Sequence, residues 1–388
     1  MRFDRRQIGK LAVGATTTLA SGALLSHSAA AARYRGLIVI LVRFGGGVRR
    51  RETVDQAHTY APYFRNVLSK RGVLIPNVTI DELKDVDTSH AEGTLNLLTG
   101  RYQAYSKVGS RGLAPLLEPS EPSLFEYLRK TFDIPAHQAL LVNGEDRPQE
   151  EYLTYGGHKH YGVAYRSEVI GLFRYKLHKF KRMLESGALD EKQRQKITTD
   201  FEKLKSFDYR GSASRPSRVM DRFWDDWRRQ YGDSGLKNPR GDRLLTELAV
   251  RAIRQLRPRL MMINYQDPDY VHWGNASHYT RAIAIIDQGL QRLVETVDSD
   301  PEYRNDTVFV IVPACGRDAN PFMSVPYQRH FNSRSAHEIF AHVFGAGVVR
   351  NRILDKPVEQ TSLASTIGAL MGFRMKAAEG RVLSEIIT

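Results

Sequence analysis

Residues 260–274 read LMMINYQDPDYVHWG, Leu260 to Gly274, and the reading of this stretch decides the fold. Leu260–Ile263 is an unbroken apolar run, as expected of a strand buried on both faces. It breaks at once into Asp267, Asp269 and His272. Parallel sheets present reactive side chains on the loops at the carboxyl ends of their strands, so these three residues stand where such a fold carries its chemistry. Asp and His are hard-to-borderline ligands that suit zinc or a similar divalent ion. The plainer alternative is a polar loop whose Asp caps the following helix.

The same pattern recurs on either side. Gly36–Val42 (GLIVILV) and Thr307–Val312 (TVFVIV) are further buried strands. The first enters a glycine loop, Arg43-Phe44-Gly45-Gly46-Gly47, which has no phosphate-loop Lys-Ser/Thr and no dinucleotide spacing, so it reads as a tight turn. Weaker strands are expected at 71–79, 138–143 and 338–344. Helices are expected at 61–70, 93–100, 119–130, 244–256, 277–297 and 360–371, the last capped by Thr361 or Ser362. Alternating strands and helices predict an α/β fold, a three-layer α/β/α sandwich on a mainly parallel sheet.

From about Gln149 to Gly241 the composition shifts. Tyr152–Tyr165 crowds tyrosines with His158 and His160, which suit metal but fit a surface or lid loop better. Charged amphipathic helices follow at 167–184 and 190–204, and then an aromatic helix at 215–231 with Phe223, Trp224 and Trp227. Residues 150–241 therefore read as a helical cap inserted into one domain spanning 33–388.

Residues 1–32 read as an address rather than as fold. Paired arginines, Arg5-Arg6, precede a mildly apolar stretch from Leu11 to Leu25 and small residues from Ser28 to Ala32. That order is a secretory signal of the twin-arginine type, with cleavage near Ala31 or Ala32 and delivery to the periplasm or the exterior. A disordered basic tail is the alternative. The apolar part is too short and too rich in Gly, Thr and Ser for a membrane span, so none is expected after cleavage. Cys315 is the single cysteine of 388 residues, which excludes an intramolecular disulfide. Net charge is +14; four basic residues against one acidic take three of these into residues 1–32 and leave +11 on the rest. Such a surplus suits an anionic small molecule or envelope polymer, and with no nucleic-acid motif present no nucleic-acid partner is expected.

Four segments, in order, resemble the alkaline phosphatase superfamily, closest to its exported sulfatase-like branch. Thr94–Tyr102 (TLNLLTGRY) is similar to the threonine-glycine-arginine helix after the family's nucleophile. Asp269-Tyr-Val-His272 resembles its metal loop, and Tyr303–Arg317 (YRNDTVFVIVPACGR) its strand followed by Asp-His-Gly-Arg. Val348–Phe373 resembles its closing helix. The resemblance implies a metal-dependent hydrolase of phosphate or sulfate esters that uses two ions about 4 Å apart. Carried onto this sequence, it places Asp269, His272 and His330 around one divalent ion such as zinc, with His337 as a substitute for His330. Arg317 would face an anionic ester.

The second ion finds no such set. The first strand ends at Arg43 instead of a carboxylate, and Ala314-Cys315 replaces the Asp-His pair. Alanine cannot ligate, and one soft thiolate does not restore a hard-oxygen site. The family spacing back from Thr99-Gly100 lands on His90, with Thr88 and Ser89 as neighbouring hydroxyls. These are the nucleophile candidates, or plain helix caps. The two-metal mechanism is therefore not expected to operate. Three functions follow from these residues. The first is a metal-dependent phosphate or sulfate ester hydrolase working with one ion or an unusual nucleophile; the second is a non-catalytic relative binding an anionic ligand or envelope partner; the third is a phosphosugar mutase-like transferase.

Overall fold

The computed structural model describes residues 34–388 except 82–85, 112–113, 157–159, 212–216, 239, 273–274 and 320–332. The paired arginines and cleavage region, His158 and His330 lie outside the described residues. In chain order the strands are β1 (Ile38–Arg43), β2 (Gly72–Thr79), β3 (Tyr105–Arg111), β4 (Ala114–Pro119), β5 (Ala139–Val142), β6 (Glu168–Ile170), β7 (Leu260–Asn264), β8 (Thr307–Val312), β9 (Glu338–Gly345), β10 (Arg352–Ile353) and β11 (Val358–Glu359). The α-helices are α1 (Pro62–Asn66), α2 (His90–Thr99), α3 (Leu124–Phe132), α4 (Leu172–Glu185), α5 (Glu191–Lys205), α6 (Arg218–Tyr231), α7 (Asp242–Gln255), α8 (Ala276–Asp298) and α9 (Thr361–Leu370).

Among the described residues one sheet runs β10-β2-β9-β8-β1-β7-β5-β6, with β11 also on β2. Pairing is parallel except around β9, which lies antiparallel between β2 and β8. Every residue of β1, β7 and β8 is buried, which is why these strands read as continuous apolar runs. Successive strand side chains point to opposite faces. Ile38, Ile40 and Val42 join a core with Leu245 and Leu248 of α7 and Ile283 and Ile286 of α8. Val39 and Leu41 join a second core with Leu98 of α2, Phe125 of α3 and Ile367 of α9. Helices therefore cover both faces, giving the three-layer α/β/α sandwich.

The region between β6 and α7 carries α4, α5 and α6. Phe223, Trp224 and Trp227 on one face of α6 are buried with Tyr175 of α4, and the Trp227 Nε1–H donates to Gly235 O at 2.8 Å. The aromatic stripe packs, as an apolar helix face does.

Four details differ from the sequence expectations. Residues 61–70 form only the short α1 followed by a 3₁₀ turn, Leu68–Arg71. β3 and β4 make an antiparallel hairpin where no strands are expected, and the next helix starts only at Leu124, capped by Ser123. The helix expected from Ser167 begins instead with the three-residue β6. Finally α9 is preceded by Gln360 as its N-cap residue, without a side-chain cap bond, rather than by Thr361 or Ser362. No described helix is long and apolar enough to cross a membrane.

Candidate functional site

The carboxyl ends of β1, β7 and β5 lie side by side, because Arg43 registers with Asn264 and Val142 with Ile263. Each strand thus delivers a polar residue to one spot: Arg43, Asn264 and, one residue beyond β5, Asn143. Arg43 is fully buried. One of its terminal nitrogens donates to Thr94 Oγ1 on α2, and the other donates to Glu150 Oε2 at 3.0 Å.

Glu150 is the hub of a buried ionic network. Its Oε2 also accepts from Asn264 Nδ2 at 2.8 Å, and Asn264 donates in turn to Asn143 Oδ1 at 2.6 Å. Its Oε1 accepts from Arg147 at 3.1 Å, and the other arm of Arg147 donates to Asp269 Oδ2 at 2.5 Å. Two guanidiniums and two carboxylates are thereby joined in one chain of contacts, Arg43–Glu150–Arg147–Asp269. Burial alone would raise the Glu150 carboxyl, but His90, Arg43 and Arg147 beside it hold it well below the usual range. Burial pulls Arg43 down to about 10 against the opposing pull of Glu150, so it stays protonated at neutral pH. For Arg147 the desolvation penalty is outweighed by Glu150 and Asp269, and its pKa is raised.

His90 opens α2 and is buried there. Its Nε2 lies 3.2 Å from Glu150 Oε2, in ion-pair range but outside good hydrogen-bond geometry, and its Nδ1 has no partner among the described residues. Burial, reinforced by the Arg43 charge, lowers its pKa to about 4, so the ring is neutral at pH 7. Gly46 of the glycine loop is tight against both His90 and Asp269. A methyl group at position 46 would sit 2.4 Å from His90 Nδ1 and 2.5 Å from Asp269 Cβ. The glycine is needed for space, not only for a turn.

The other sequence candidates are distributed as follows. Ser89 accepts from Glu92 N at 3.1 Å and serves as the N-cap of α2; Thr88 is buried beside it. His272 Nε2 lies 3.5 Å from Asp269 Oδ1. Asp267 turns away toward α7, where its Oδ2 accepts from Asp242 N at 3.2 Å. His337 is buried with Nδ1 3.0 Å from Ile80 O. His160 lies at the surface, its Nε2 3.0 Å from Ser120 O. Ala314 and Cys315 are fully buried, and Cys315 belongs to the core beneath α2 and α9.

Arg317 is also fully buried, and each of its three nitrogens donates to backbone. Nε donates to Gly47 O at 2.6 Å, one terminal nitrogen donates to Val271 O at 2.7 Å, and the other donates to Pro268 O. It staples the glycine loop to the 268–271 loop. Arg147, Glu150, Asn143 and Asn264 were not singled out from sequence. The signal was there: Asn143–Glu151 follows a buried strand just as Asp267–His272 does.

The described side chains at these strand ends do not by themselves make up the donor set of a binuclear metal centre. Among the described residues no group of three His, Cys, Asp or Glu side chains converges as a metal shell requires. Arg43 stands at the end of β1, and the two carboxylates nearby, Glu150 and Asp269, are already paired with two guanidiniums. A divalent ion about 5 Å from either guanidinium would meet a repulsion of roughly 7 kcal/mol at an effective dielectric of about 20. A single ion on Asp269 and His272 would share the Asp269 carboxylate with Arg147, which already holds its Oδ2.

No family model matches the sequence, and no curated protein matches it. Solved structures do match the fold. The alkaline phosphatase PafA aligns with a TM-score of 0.57 and 12% identity over 92% of this chain and 100% of that one. A Vibrio parahaemolyticus protein of the alkaline phosphatase superfamily aligns at 0.54 and 12% identity over 91% and 71%. A 2-O GAG sulfatase aligns at 0.54 and 11% identity over 90% and 73%. At such identities the likeness is one of fold.

Proposed function

We propose that this chain, built on the alkaline phosphatase superfamily fold, is a non-hydrolytic member. In this reading its strand-end centre is an internal salt-bridge core, and the protein binds an anionic ligand or envelope polymer. The observation that carries the reading is Arg43, a buried guanidinium at the carboxyl end of β1, ion-paired to Glu150. A guanidinium is a fixed +1 charge with no open coordination position, so it cannot lower the pKa of a bound water or alcohol as a metal does. His90 and Arg43 are buried, and the anion-binding surface is therefore sought on the outside of a chain that carries a net +11 beyond residues 1–32. Export by the twin-arginine route, as residues 5–32 suggest, would place that surface among anionic envelope polymers.

The test uses purified mature chain, residues 33–388. It is expected to carry less than one zinc per chain by elemental analysis and to release no product from aryl phosphate or aryl sulfate, with or without added zinc. It is also expected to bind dextran sulfate with an affinity that falls steeply with salt. Two ions per chain together with turnover would overturn the reading.

A second reading, ester hydrolysis with one ion, draws on the closeness of Asp269 and His272. It predicts one bound zinc that an Asp269→Ala variant loses. No observation favours the transferase.

A further inference from the structure

The positive surplus of this chain is not spread evenly. Residues 171–240, between β6 and α7, hold 18 Lys and Arg against 10 Asp and Glu. That net +8 leaves only +3 for all the rest of residues 33–388. The surplus is thus a property of the helical cap.

Two helix faces carry these cations outward. On α5, Lys192, Lys196 and Lys203 are exposed and share one face with Thr199, at the i, i+4, i+7, i+11 spacing of a helical stripe. Ile197, Phe201 and Leu204 are half-buried on another face, so packing holds the lysines in solvent. None of the three lysines has an ion-pair partner among the described residues. The stripe is about 16 Å long at a rise of ~1.5 Å per residue. On α6 the same spacing sets Arg218, Arg222, Asp225 and Arg229 opposite the buried Phe223 and Trp227. With Arg182 of α4 they line a groove of about 800 Å³. Within it Arg182 donates to Asp225 at 3.1 Å and Arg229 pairs with Asp226. Arg218 and Arg222 are exposed and have no ion-pair partner among the described residues.

Building on the anion-binding reading, we propose that these two faces of the cap are where the anionic partner docks, and that the partner is an acidic polysaccharide held along its length. The free cations do not converge on one point, as a site for a small anion requires. They are strung along helices at intervals of about 6–10 Å. A nucleic-acid duplex presents a charge every ~1.7 Å of axis, far denser than these cations, and would also bring phosphates against Asp221, Asp225 and Asp226. A sugar chain with widely spaced acidic groups meets the cations one at a time and sets neutral hydroxyls between them. Thr199 donates its own proton to Gln195 O at 3.0 Å, which leaves its oxygen as an acceptor for such a hydroxyl. Arg218 and Arg222 can each grip an acidic group in bidentate fashion.

The probe is dextran sulfate, with uncharged dextran and a DNA duplex of equal total charge as counterparts, titrated against the mature chain at low and moderate salt. Dextran sulfate is expected to bind, the duplex more weakly and uncharged dextran not at all. Combining Lys192→Gln, Lys196→Gln, Lys203→Gln, Arg218→Gln and Arg222→Gln is expected to weaken dextran sulfate about tenfold and to flatten its salt dependence. A control variant removes as many charges from exposed residues outside the cap, with Arg254→Gln, Arg281→Gln, Arg350→Gln, Lys356→Gln and Lys376→Gln. It is expected to weaken binding by less than about twofold, because charges beyond a Debye length of ~10 Å are screened. The three α5 substitutions alone touch only exposed positions and serve where the fivefold cap variant fails to fold; they are expected to weaken binding about fivefold. Equal weakening by the cap and control variants would overturn the inference and leave anion binding standing. No binding of dextran sulfate by the parent chain would overturn the anion-binding reading and the inference with it. Tighter binding of the duplex than of dextran sulfate would overturn the polysaccharide assignment.

Discussion

Replacing Arg43 by methionine tests whether the buried guanidinium holds the strand-end core together. The substitution keeps an unbranched stem and removes the charge. Glu150 Oε2 then loses its 3.0 Å partner, while Asn264 still donates to it at 2.8 Å and Arg147 still holds Oε1 at 3.1 Å. Removing one member of a buried ion pair costs about 3–5 kcal/mol. The surviving partners of Glu150 put the expected loss at the lower end, about 3 kcal/mol. Against a total stability of roughly 5–15 kcal/mol this is large. With a urea slope of about 3 kcal/mol per molar, the unfolding midpoint should fall by about 1 M. The assay is urea unfolding followed by both tryptophan fluorescence and far-UV circular dichroism, since coincident curves justify a single transition. Adding Glu150→Gln to Arg43→Met should cost much less than Glu150→Gln does alone, with a coupling of about 1–3 kcal/mol. A loss from Arg43→Met within about 0.5 kcal/mol of zero, or strict additivity, would refute the reasoning.

The remaining predictions concern neighbouring groups. His90 titrates near 6.5 when unfolded and at about 4 when folded, so its contribution is complete above pH 6.5 and is lost as pH falls toward 4. The loss is about 3 kcal/mol across that window, and a wild-type-minus-His90→Gln stability difference that stays flat there would contradict it. Asp287 of α8 accepts from Tyr63 N and Phe64 N at 2.9 and 2.7 Å, capping α1 from another helix. Asp287→Ala should cost about 1–2 kcal/mol and speed amide exchange at residues 63 and 64, and unchanged exchange would rule the cap out. Arg317→Met strands three backbone carbonyls and should cost about 2–4 kcal/mol. It should also make the 44–48 loop cleavable by protease at native conditions, where the parent resists.

The sheet was legible where the strands are buried on both faces. β8 falls on Thr307–Val312 as the apolar run does, and β1 and β7 are within a residue or two. Strands that lack that signature were not legible. Tyr105–Arg111, with Lys107, Ser110 and Arg111, carries no apolar alternation, and β6 is three residues long and merges with the helical pattern after it. The antiparallel setting of β9 is a long-range pairing that no local pattern encodes. At the site, Asp269 and His272 were found because they follow an obvious strand. Arg43 registered only as a missing carboxylate. Glu150 was assigned to the inserted cap by the compositional shift near residue 149, although it folds back onto β1 and β7, and Arg147, just before that shift, was passed over.

What links the sequence to this centre is charge balance. A strand end that gathers Glu150 and Asp269 in a space from which water is excluded needs two positive charges nearby, whatever carries them. A divalent ion can meet that need and still keep a position for substrate. Here the two charges are covalently attached, on Arg43 and Arg147, and they pair with Glu150 and Asp269 while Thr94 and Asn264 take further bonds of the same network. Each satisfied contact that stabilises the core is one that no phosphoryl or sulfuryl oxygen can take up without displacing it. In the proposed reading, the features that make this centre stable without a metal also make it inert toward esters, and Arg43 is where the two consequences meet.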